Sequence, residues 1–78
     1  MTDQEEQALM NAVIAEVGAR LGKAKTKLEA ADIAGAYALV GYKMMRATGG
    51  NEFTRGWLES ALHDVKTTEP EMVWSPLQ

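Results

Sequence analysis

A chain of 78 residues with no Cys, one His and a net charge of −3 bounds a single small domain and excludes a disulfide scaffold. A zinc site is disfavoured, because His63 is the sole imidazole and no thiolate accompanies it; no cofactor is expected. The acidic balance argues against a nucleic-acid binder, which ordinarily carries a basic excess. No apolar run reaches the ~20 residues that span a bilayer.

A lone core of this size nets only about 3–5 kcal/mol. With disulfides excluded and metal disfavoured, oligomerisation is the remaining route to extra margin. The first residues, Met1-Thr2-Asp3-Gln4-Glu5-Glu6, are acidic where a secretory signal would be basic and then apolar. A cytoplasmic location without membrane attachment is therefore expected.

Helix one is predicted from about residue 3 to 21. Thr2 and Glu5 match the capping-box spacing. Asp3, Glu5 and Glu6 sit where the helix dipole favours negative charge. Leu9, Met10, Val13, Ile14, Val17 and Leu21 recur at three- and four-residue steps and form one apolar stripe. Ala8, Ala12, Ala15 and Ala19 make a second, smooth side. Gly22 is the expected terminator.

Residues 23–27 read as a connector carrying Lys23, Lys25 and Lys27. Thr26 with Glu29 repeats the capping-box spacing, and Asp32 is an alternative N-cap. Helix two is predicted over 27–48. Its polar residues are confined to a narrow stripe of Asp32, Lys43 and Arg46, so a cover on more than one side is expected. Ile33, Tyr37, Val40 and Met44 carry the bulk. Ala30, Ala34, Ala38, Gly41 and Met45 form an adjacent side with little bulk, where another backbone can approach. Gly35 and Gly41 each cost about 1 kcal/mol of helix propensity relative to Ala, which points to a packing reason for them.

Gly49-Gly50 is the clearest punctuation in the chain, and Asn51 is the expected N-cap of a third helix over 52–66. Phe53, Trp57, Leu58, Ala61, Leu62 and Val65 make its apolar face. Arg55, Glu59, His63 and Lys66 lie opposite, with Arg55–Glu59 at the four-residue spacing of surface pairs. The remaining residues, 67–78, read as an irregular tail broken by Pro70 and Pro76. Met72, Val73 and Trp74 in that tail fold back onto the helices or anchor a partner. The expected fold is all-α, a small three-helix bundle with this tail.

Catalytic constellations are thin. His63 and Asp64 are neighbours, and neighbours on a helix point about 100° apart. Glu59 is better placed, but no nucleophile or metal set accompanies it. Gly49-Gly50-Asn51 lacks the longer glycine spacing of a phosphate loop. Glu5, Glu6 and Glu16 do not make a di-metal motif, because no Glu precedes His63 by three residues. The chain is therefore expected not to be an enzyme.

The leading expectation is an interaction module that self-associates as a homodimer and docks to a protein partner whose identity the residues do not specify. Its size and composition suit a small phage-type inhibitor or accessory protein. The interface candidates are Ala34, Ala38, Gly41, Met45 and Trp74. The alternative is a helix-turn-helix regulator. Nucleic acid would then meet Lys23, Lys25, Lys27 and Arg55, although the net charge weighs against it.

Overall fold

The computed structural model of the chain describes residues 1–75. The fold is all-α: helix α1 runs Asp3–Leu21 and helix α2 runs Lys27–Thr67. The chain divides into two units. The first includes Met1–Ala34 and the second includes Gly35–Trp74.

In the first unit, α1 starts on a complete capping box. The Glu5 N–H donates to Thr2 Oγ1 at 3.1 Å, and the Thr2 N–H donates to Glu5 Oε1 at 3.0 Å. Two of the donors that every helix start leaves open are thereby satisfied. Gly22 closes α1 in the right-handed region, its N–H donating to Gly18 O at 2.8 Å. The connector then turns on bonds from the Lys23 N–H to Arg20 O and from the Ala24 N–H to Leu21 O. Thr26 starts α2, its Oγ1 accepting from the Glu29 N–H at 3.1 Å. Glu29 reaches back to the Lys25 N–H at 3.5 Å instead of to Thr26, so this cap is a box displaced by one residue. Asp32, the alternative cap, lies inside α2. Ala24 and Ala30 are buried around this turn.

The second unit corrects the expected three-helix bundle, since only two helices occur among the described residues. The break at the glycine pair is confined to Gly50, whose φ of 83° and ψ of 175° are the one non-helical pair inside α2. One residue suffices because glycine alone enters that region cheaply, and the helix resumes without a linker. Asn51 does not act as a cap: its side-chain oxygen accepts from Arg46 Nε. Gly49 has a different role. A Cβ built there would lie 2.6 Å from Phe53 Cδ2, so the Phe53 ring occupies the space a side chain would need.

At its other end, α2 closes with Thr67 and Thr68 hydroxyls donating to the His63 and Asp64 carbonyls. Residues 68–75 are non-helical. Pro76, Leu77 and Gln78, the end of the expected tail, lie outside the described residues.

The expected core faces are the second correction. Among the described residues the only buried apolar side chains are Ala24 and Ala30. Leu9, Met10, Val13 and Ile14 of the α1 stripe are exposed, as are Phe53, Trp57, Leu58, Leu62 and Val65 of α2. Val17, Leu21, Ile33 and Ala61 are half-buried. Periodicity places these residues on one side of each helix, but most of that side is exposed among the described residues.

Candidate functional site

A shallow cleft lies beside the kink at Gly50. It has a volume of about 380 Å³ and is lined by Tyr42, Arg46, Asn51, Thr54, Arg55, Leu58 and Glu59. Its polar groups are held by short bonds. Arg46 Nε donates to Asn51 Oδ1 at 3.0 Å, and Arg46 Nη1 donates to Tyr42 Oη at 3.2 Å. The Arg46 guanidinium carbon stands 5.7 Å from the Tyr42 ring centroid, within cation–π range.

The kink is what permits this arrangement. Residues five apart on a straight helix point about 140° away from each other, so Arg46 and Asn51 would not meet without it. Thr54 is buried, and its hydroxyl donates to Gly50 O at 2.8 Å. On the outer side, Arg55 Nε and Glu59 Oε1 form an exposed ion pair at 2.9 Å. Exposed pairs of this kind contribute little stability, but this one fixes two charged groups beside the cleft.

Among the interface candidates, Ala38 and Gly41 are exposed and Met45 is half-buried; the three fall within one narrow stripe of α2. Ala34 is exposed in the first unit, and Trp74 is half-buried beyond the end of α2. Tyr37, Leu39, Val40 and Met44 add large exposed apolar surface to α2. Among the nucleic-acid candidates, Lys23, Lys25 and Lys27 are exposed around the connector. Arg55 is engaged by Glu59. Glu59 thus answers Arg55, not His63, the residue with which sequence spacing also allowed it to pair.

Arg46 and Tyr42 were not singled out by sequence reasoning as a site. The usable signal was their four-residue spacing immediately before Gly49-Gly50. Among the described residues no group of three or more His, Asp or Glu is placed to hold a metal ion. No helix there is long and apolar enough to cross a membrane. Comparison with protein-family models, with curated proteins and with solved structures finds no match.

Proposed function

We propose that the protein is a non-enzymatic interaction module that works by self-association through α2 and by docking to another macromolecule. One observation carries this reading. Large apolar side chains of α2, including Val40 at 56%, Met44 at 62% and Trp57 at 52%, remain exposed, while no apolar side chain larger than alanine is buried among the described residues. Val40 and Met44 lie one helical turn apart, and an exposed apolar patch ordinarily marks an interaction site. The small residues Ala38 and Gly41 sit beside the bulky ones and offer a place where a second helix backbone can come close. A second copy brings the same self-complementary surface, as two-fold dimers require.

Ala38→Glu places a charge in that contact. The substitution should convert an associated species to monomer in light scattering. An unmodified protein that scatters as a monomer at high micromolar concentration would overturn self-association. Nucleic-acid binding is the weaker reading. It rests on three exposed lysines in a chain of net charge −3, and phosphate contacts would show as steep loss of binding with salt.

A further inference from the structure

We propose that the cleft at the Gly50 kink binds an oxyanion, a carboxylate or a phosphate group, on the guanidinium of Arg46. Three features point there. First, Arg46 is held in place without being neutralised. It makes hydrogen bonds to Tyr42 and Asn51, both uncharged, and among the described residues no carboxylate stands within ion-pair range of it. A guanidinium has five N–H donors; two are used in those bonds and three remain. Its side-chain freedom is already restricted, so less entropy is lost when an anion arrives.

Second, the Tyr42 hydroxyl accepts from Arg46 and keeps its own proton to donate. Third, the charges lining the cleft are Arg46, Arg55 and Glu59, a net positive balance in a chain whose total is −3. Glu59 is answered by Arg55 and does not compete for Arg46. Leu58 offers one apolar wall for the body of such a ligand. The residues of the site all belong to one chain.

The test is a titration of the isotope-labelled protein with inorganic phosphate and, separately, with acetate at constant ionic strength, using chloride as the reference. The observed signals are the Arg46 Nε–H and the Asn51 side-chain amide. Saturable shifts at both are expected with at least one probe, and the probe that saturates identifies the source as phosphoryl or carboxylate. Arg46→Gln should weaken binding at least tenfold. Arg46→Lys keeps the charge but loses the planar fork and should also weaken it. Lys66→Gln, away from the cleft, should leave binding unchanged. Asn51→Ala, which frees Arg46 without removing its charge, should weaken binding several-fold and supplies the test if the Arg46 variants lose helix content. Absence of saturable shifts in the unmodified protein overturns the proposal. So does equal loss in Lys66→Gln, which would mean diffuse attraction without a site.

Discussion

At the scale of single residues, Gly49 and Gly50 are adjacent and serve opposite needs. Gly50 holds a backbone conformation nearly closed to other residues, and a Cβ there would meet nothing within 4 Å. Alanine at 50 therefore incurs only backbone strain, about 1–3 kcal/mol, and escapes it by becoming helical. Gly50→Ala should straighten α2. Spin labels at Lys43→Cys and Lys66→Cys should then move apart toward about 35 Å, the length of a straight helix at 1.5 Å per residue. An unchanged label distance would show that the surroundings, not the glycine, impose the kink. Gly49→Ala should be milder, because the exposed Phe53 ring can rotate away. Glu5 offers a second residue-scale prediction. Its bond to the Thr2 N–H, and then the Thr2 hydroxyl, hold its carboxyl below the ordinary 4.5. A carboxyl lowered in the helix stabilises it fully above the unfolded value, and that contribution is lost as pH falls through the folded value. Titration of the Glu5 carboxyl by NMR should give a midpoint below 4.5 that returns toward it in Thr2→Ala. A midpoint at 4.5 in the unmodified protein would mean that the capping box does not persist in solution.

At the scale of elements, helix starts were legible in the sequence because their causes are local. Thr2 with Glu5 and Thr26 with Glu29 are each settled within four residues. The number of helices was not legible. Gly-Gly announces a break but does not say whether one residue or several leave the helix, and here Gly50 alone does. Arg46 looked like one member of a polar stripe, since only the kink brings Asn51 to it. Burial was least legible, because periodicity assigns a side to each residue and not the element that covers it. That gap sets the element-scale prediction for α2. If Val40 is covered in a dimer, Val40→Ala removes two buried carbons per copy, about 1.6 kcal/mol at ~0.8 kcal/mol each. Both copies lose them, so the dissociation constant measured by sedimentation equilibrium should rise by more than tenfold. Lys43→Ala, on the polar stripe, should leave it unchanged. Equal effects from both would place the contact elsewhere.

At the scale of the whole molecule, stability and association should be inseparable. Each of the two units is no longer than about 40 residues, near the limit below which disulfides, metals or partners are usually needed. Cysteine is absent, and the buried apolar side chains among the described residues are two alanines. Such a core cannot balance the entropy of ordering two helices, which costs about 1–2 kcal/mol per residue for the backbone alone. The missing favourable term must come from covering the exposed Leu, Ile, Val, Met and aromatic side chains. If a second copy covers them, mass action favours the folded dimer, and a tenfold rise in protein concentration adds about 1.4 kcal/mol. The unit that unfolds is then a pair of 78-residue chains, for which this corresponds to roughly 3–6 °C in the thermal midpoint. Unfolding followed by circular dichroism over a hundredfold concentration range should show this slope, and Ala38→Glu should abolish it along with most of the cooperativity. A sharp, concentration-independent transition in the unmodified protein would instead mean that one chain covers its own apolar faces. A broad transition at every concentration would assign the cover to a different protein, leaving α2 as its docking surface.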